Sequence, residues 1–217
     1  MAKKHKISII PNGVNTNFFL NSQKKADIFR SKFKIDGKFI LSVGRLHHIK
    51  GFDFLIKAFA QIIKEFDKLK LIIVGEDFGY KNTLISLVWK LKLEHNINFI
   101  EKLSNDLLVG AYSAASIYVQ PSKFEIFGMA ALEAAACETP IIVTNVGGLR
   151  NLLPKENSFI VEFNDIEKLK EICLNFLKNE IYSEEIGEKN RKLMMDFYNW
   201  NIIGTKIENI YKKILRF

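Results

Sequence analysis

Short apolar runs rich in β-branched residues alternate along this chain with longer stretches whose apolar positions recur every three or four residues. The runs are Ile7–Ile10, Phe39–Val43, Leu71–Val74, Ile97–Ile100, Ile117–Gln120, Ile141–Thr144 and Phe159–Val161. Each is apolar at consecutive positions, the pattern of a strand covered by helices on both faces. Between them, Phe52, Leu55, Phe59, Ile62, Ile63 and Phe66 trace one face of an amphipathic helix. Leu84, Leu87, Val88 and Leu91 repeat the spacing, as do Leu107, Leu108 and Ala111. Strand and helix in strict alternation predict an α/β fold built on a doubly wound parallel sheet.

From Asp165 onward the pattern is helical throughout. Asp165 is placed to cap a helix carrying Leu169, Ile172, Phe176 and Leu177. A last stripe runs through Trp200, Ile203, Ile207, Ile210, Tyr211 and Ile214. No Pro/Gly/Ser-rich linker, repeat or low-complexity stretch divides the sequence, so residues 1–217 read as one domain whose segment 165–217 is helical.

Composition narrows the class. Hydrophobic residues make up 48% and charged residues 26% of 217 positions, which is globular rather than disordered composition. No apolar run reaches the roughly 20 residues that cross a bilayer. The basic start, Met1 to Lys6, is followed by no apolar signal core. Cys137 and Cys173 have no paired spacing, which points away from a disulfide framework or a zinc site and toward the cytosol. The net charge of +8 is local: residues 1–50 carry 11 Lys/Arg against 2 Asp/Glu, and the rest is near balance. Without a long basic run or a helix-turn-helix or zinc-finger pattern, nucleic acid is not the expected partner. A nucleotide phosphate, an anionic membrane surface or an acidic partner would each suit that basic end.

In open α/β sheets ligands bind beyond the carboxyl ends of the strands, and four polar clusters fall there. Gly44-Arg45…Lys50-Gly51 supplies two cations before a helix, a fork and a point charge that suit a pyrophosphate. They are equally readable as solvated loop residues. Gly75…Gly79 lacks the Gly-x-Gly-x-x-Gly of a dinucleotide site and can be a tight turn. Pro121…Glu125…Gly128 opens a helix, expected from about Phe127, whose start offers N–H groups and a favourable dipole to an anion. Glu133, within that helix among apolar neighbours, needs a partner or a ligand hydroxyl unless it faces solvent or pairs with a core Arg or Lys. Two carboxylates also suit acid/base hydrolysis, and sequence does not fix their separation. Asn145-Val146-Gly147-Gly148 is the fourth cluster.

Taken in order, Ile10-Pro11-Asn12-Gly13-Val14-Asn15, Gly44-Arg45…Lys50-Gly51, Glu125-x7-Glu133, Glu133-Ala134…Thr139-Pro140 and Val146-Gly147-Gly148 resemble the C-terminal, donor-binding half of GT-B-fold glycosyltransferases, specifically the retaining family 4. The resemblance covers essentially the whole chain and implies a Rossmann-like domain for a nucleoside-diphosphate sugar, with no bound cofactor and no catalytic metal. It implies that Arg45 and Lys50 hold the diphosphate and that Glu125 accepts from the donor sugar. It implies further that Glu133 accepts from the ribose, that Gly44, Gly75 and the N–H groups of Phe127, Gly128 and Met129 line the donor, and that Trp200 belongs to the closing element. The acceptor would be a glycan or a lipid-linked molecule, met in the cytoplasm or at the inner membrane face in polysaccharide biosynthesis.

Four positions depart from the pattern: Glu138 where glycine is common, Asn151 where an acid is common, Asp77-Phe78 for Gly-Pro and Ser158-Phe159 for Thr-Gly. The acceptor-binding N-terminal domain is missing from the sequence, so the expectation is an excised piece, a truncated product or one subunit of a split enzyme. The last-helix stripe would then be partly uncovered. Competing readings are a non-catalytic nucleotide-sugar-binding subunit acting through a partner protein and, opposed by the absent dinucleotide motif, an NAD-type oxidoreductase.

Overall fold

The structure is a computed structural model and describes residues 7–152 and 159–215. Six parallel strands form one sheet in the order β3-β2-β1-β4-β5-β6. They are β1 (Phe39–Val43), β2 (Lys70–Val74), β3 (Ile97–Ile100), β4 (Ile117–Gln120), β5 (Ile141–Thr144) and β6 (Ile160–Val161). The helices are α1 (Gln23–Phe33), α2 (Phe52–Ile62), α3 (Lys81–Lys90), α4 (Asn105–Ala114), α5 (Met129–Ala136), α6 (Ile166–Lys178), α7 (Glu180–Leu193) and α8 (Trp200–Leu215). A π turn, Met194–Tyr198, lies between the last two.

The double winding is visible residue by residue. Ile40, Leu71, Ile73, Ile117, Val119 and Ile142 face a core formed with Phe52, Leu55 and Phe59 of α2, Leu84 of α3, and Leu169 and Phe176 of α6. Their neighbours Phe39, Leu41, Ile72, Val74, Tyr118, Ile141 and Val143 face a second core with Phe29 of α1, Tyr112 of α4 and Ala131, Leu132, Ala134, Ala135 and Ala136 of α5. Alternation with period two sends successive side chains to opposite layers, so a continuously apolar strand fills both. The sequence order reverses between β1 and its neighbour β4, which makes the ends of those two strands the switch point where such sheets take ligands.

Three expectations are corrected. Ile7–Ile10 is not a strand: Ile9 is 93% exposed, and β1 is the first strand of the sheet. Among the described residues the Ile7–Ile10 run has no neighbouring strand to pair with; a little further on, Val14 N–H donates to Tyr198 O at 2.7 Å, tying this segment to the π turn. The third-cluster helix starts at Met129 rather than Phe127, because Gly128 takes φ +95° and interrupts the helical path. Helix α1 was not expected at all. Only Ala26 and Phe29 of its 11 residues are buried, too few for a readable stripe. Ser22 caps its start by accepting from Lys25 N–H, and Arg30 joins it to α4 by donating to Ala114 O at 2.8 Å.

The helical reading after Asp165 agrees with α6, α7 and α8, and the Asp165 carboxylate accepts from Lys168 N–H at the start of α6. Along α8, Ile203 is buried while Trp200, Ile207, Tyr211 and Ile214 remain exposed. The stripe is therefore largely uncovered among the described residues. No helix of the described residues is long and apolar enough to cross a membrane.

Candidate functional site

The loops after β1, β2 and β4 are stitched together at the switch point. Leu46 N–H donates to Glu76 O at 2.8 Å and Phe78 N–H donates back to Leu46 O at 3.1 Å, joining the first loop to the second. The approach is so close that a Cβ on Gly75 would lie 1.8 Å from Gly44 O. Gly75 thus marks loop packing, not a free turn. On the other side, Lys123 N–H donates to Ile49 O at 2.8 Å and joins the first loop to the third.

This stitching places the sequence-selected residues. Arg45 is exposed, its guanidinium carbon 5.0 Å above the Phe78 ring, within the range of a cation–π contact. Lys50 ends a single 3₁₀ turn, His48–Lys50, and its Nζ lies 2.6 Å from Glu125 Oε2, the two side chains 15% and 14% exposed. Ion pairs this sheltered lose less to solvent screening than surface pairs do. The same Oε2 meets Gln120 Nε2 and Ser122 Oγ, each at 3.5 Å.

Glu133 sits in a different setting. It lies inside α5 and its Oε2 accepts from Tyr112 OH of α4 at 2.9 Å. Burial pushes its carboxyl pKa up, and the Tyr112 hydrogen bond only partly opposes this. Its side-chain partner is therefore a tyrosine hydroxyl rather than a basic side chain, and the residue is half-buried. At the start of α5, the N–H groups of Phe127, Gly128 and Met129 have no hydrogen-bond partner among the described residues. Those of Gly128 and Met129 are orphan donors of a helix terminus, and that of Phe127 immediately precedes it. Met129 is exposed, Phe127 is half-buried and Gly128 is buried under Leu149.

Sequence reasoning did not select Tyr112, Tyr118, Gln120 or Ser122. Gln120 and Ser122 flank Pro121 and are buried at the end of an apolar strand, a place where polar residues could have drawn notice. Nor did it select Lys102, Leu103 and Asn105, which with Gly44, Arg45 and Gly75 line a cavity of about 240 Å³ beside the β1 and β2 ends.

Most departures from the family pattern fall on described residues and can be placed in the structure. Asp77 Oδ1 accepts from the N–H groups of Gly79, Tyr80 and Lys81, which caps α3 and holds its carboxyl below the usual range. Glu138 occupies the left-handed position, φ +64°, where glycine would be unstrained. Its carboxylate meets Arg191 at 3.4 Å and accepts from Asn21 Nδ2 at 3.0 Å. Asn151 ends a 3₁₀ turn, Leu149–Asn151. Ser158 and the basic start, residues 1–6, lie outside the described residues.

Comparison with known proteins places these features in a family. The model for glycosyl transferases group 1 matches residues 23–193. Mannosylfructose-phosphate synthase of Agrobacterium fabrum is 36% identical over 216 residues, covering 95% of this chain and 47% of that protein. Sucrose-phosphate synthase from Thermosynechococcus elongatus superimposes with a TM-score of 0.84 at 28% identity, over 95% of this chain and 52% of that one. HepE of Anabaena, solved in complex with UDP, shares the fold with a TM-score of 0.90 at 21% identity, over 98% and 59% of the two chains. This chain spans about half the length of these relatives. Its architecture is the Rossmann-like C-terminal half of a GT-B fold. With a sheet, a switch point and a family model in agreement, the chain belongs to the glycosyl transferases group 1 family.

Proposed function

We propose that the chain binds the nucleoside-diphosphate sugar of a retaining glycosyl transfer in the crevice between the β1 and β4 loops. The observation that carries the reading is the Lys50–Glu125 contact, which sets a phosphate-binding cation beside a hydroxyl-binding carboxylate from two separate loops. Arg45 and Lys50 hold the diphosphate. As the bond from sugar C1 to the phosphate oxygen breaks, charge builds on the leaving diphosphate, and preorganised cations stabilise it at little reorganisation cost. The acceptor oxygen bonds to C1, and its proton leaves with the departing phosphate.

Glu125 accepts from the sugar hydroxyls and Glu133 from the ribose. The Phe127, Gly128 and Met129 N–H groups donate to sugar or phosphate. The cavity bounded by Gly44, Gly75 and Leu103 takes the nucleobase. No residue role in this scheme requires a metal or a resident cofactor. The UDP held by HepE supports the ligand class.

The acceptor, a glycan or a lipid-linked molecule, is brought by an acceptor-binding domain or subunit, as the matched share of the relatives' length and the uncovered α8 stripe both favour. Acting without chemistry of its own, through a partner protein, is the second reading that the same stripe supports. Calorimetric titration of the 217-residue chain with UDP, GDP and ADP tests the donor site. Saturable binding of at least one is expected, with inorganic phosphate weaker. Absence of binding by all three would overturn the reading.

A further inference from the structure

The third loop carries a buried polar relay that no step above uses. Tyr118 and Gln120 lie in β4 and Ser122 follows Pro121; all three side chains are buried. Tyr118 OH donates to Gln120 Oε1. With its carbonyl oxygen so occupied, the Gln120 amide must direct its two N–H bonds elsewhere. One reaches Ser122 Oγ at 3.0 Å and the other points to Glu125 Oε2 at 3.5 Å. Ser122 Oγ, taking a hydrogen from Gln120, sends its own toward Glu125 Oε2 at 3.5 Å. The loop backbone is fixed as well, since Thr144 Oγ1 donates to Ser122 O at 2.6 Å.

Three donors, Lys50, Gln120 and Ser122, therefore converge on one carboxylate oxygen. Among the described residues nothing donates to the other oxygen, Oε1. A carboxylate offers about four lone-pair sites over its two oxygens, so pinning Oε2 leaves Oε1 to a ligand. Polar groups this deep are retained at a cost in burial unless they are paired, and here the pairing ends on a single functional side chain.

We infer that Gln120 and Ser122 are positioning residues: they hold Glu125 Oε2 so that Oε1 is presented to the donor and Lys50 is left able to reach the diphosphate. The inference rests on the donor-site reading above. Without these donors the charge on Oε2 faces Lys50 alone and the carboxylate is free to turn. Both changes draw the ammonium away from a phosphate, so both weaken diphosphate binding.

The test is a double-mutant cycle read by calorimetry on the full chain, using whichever of UDP, GDP and ADP binds best. Gln120→Leu is expected to weaken binding about tenfold in the native background, the size of coupling found between residues in one network. In a Glu125→Gln background the same change should weaken binding less than about twofold, since its route of action is gone. Ser122→Ala serves as the second, less disruptive variant and should show the same pattern with a smaller loss. Thermal unfolding of each variant confirms that the comparison is between folded proteins. Equal losses with and without the Glu125 carboxylate would assign Gln120 and Ser122 a purely structural role and overturn the inference. If no diphosphate binds the native chain, the donor-site reading fails first and the positioning role falls with it. If Arg45→Ala weakens binding while neither relay variant does, the donor site stands and the relay does not.

Discussion

Lys50 Nζ lies 2.6 Å from Glu125 Oε2 although 75 positions separate the two residues in the chain. The contact follows from strand order: β1 and β4 are neighbours, so the loops that leave them meet. Removing the lysine takes the charged partner from a sheltered carboxylate and leaves it the longer contacts of Gln120 and Ser122. Lys50→Met is expected to lower stability by roughly 1–3 kcal/mol, the usual cost of leaving a buried charged hydrogen-bonding group without its partner. Urea unfolding of Lys50→Met, of Glu125→Gln and of the pair measures this. The double variant should be less destabilised than the sum of the two singles.

Glu133 gives a pH signature. Burial raises its folded-state pKa above the ordinary 4.5. Such a group contributes stability that is present below its unfolded pKa and lost as pH rises through the folded value. Glu133→Gln keeps the Tyr112 contact and does not titrate. The native chain should therefore lose stability relative to Glu133→Gln as pH rises above about 4.5, following the linkage slope. Parallel denaturation curves for the two proteins over that range would contradict the burial of this carboxyl.

Gly75 lets the first and second loops pack against each other. A methyl group there meets the Gly44 carbonyl at 1.8 Å, so Gly75→Ala must part the first and second loops. Overpacking of this kind costs about 1–3 kcal/mol. Binding of a nucleoside diphosphate should fall severalfold beyond what the stability loss explains, because Arg45 sits in the displaced loop. Calorimetry together with thermal unfolding separates the two effects.

The α8 stripe makes the opposite prediction. Tyr211 and Ile214 are 61% and 60% exposed, so Tyr211→Ser and Ile214→Ser should change stability by less than about 0.5 kcal/mol. If the stripe serves an acceptor-binding domain, the 217-residue chain alone transfers sugar poorly or not at all. Robust transfer by this chain alone would contradict that reading.

The strands were legible because each is apolar on both faces, as burial between two helical layers demands; four of the seven sequence-selected runs coincide with whole strands of the sheet, and a fifth, Leu71–Val74, misses only Lys70 of β2. The sixth, Phe159–Val161, holds the two-residue β6. Ile7–Ile10 misled because an apolar run reports hydrophobicity and not a hydrogen-bonding neighbour. Helix α1 was hidden because polar residues and two caps, rather than an apolar stripe, define it. The charged candidates Arg45, Lys50 and Glu125 stand out in the sequence by their places just beyond strand ends. Their relations do not: the Lys50–Glu125 pair, the Tyr112–Glu133 bond and the Gln120–Ser122 relay depend on strand order and helix packing, which no local pattern states. Gly128 was read as an opening for an anion, and it is also the residue whose positive φ sets the start of α5.

The central claim is that Arg45 and Lys50 hold a nucleoside diphosphate, and one titration tests it most directly. The native chain and an Arg45→Ala, Lys50→Ala double variant, both shown to be folded, are titrated with UDP, GDP and ADP. Two lost charge-assisted contacts at about 1.5–3 kcal/mol each would weaken binding by at least a hundredfold, so the double variant should give no measurable heat with the diphosphate that binds the native chain. Equal heats and equal affinities from the two proteins would contradict the claim.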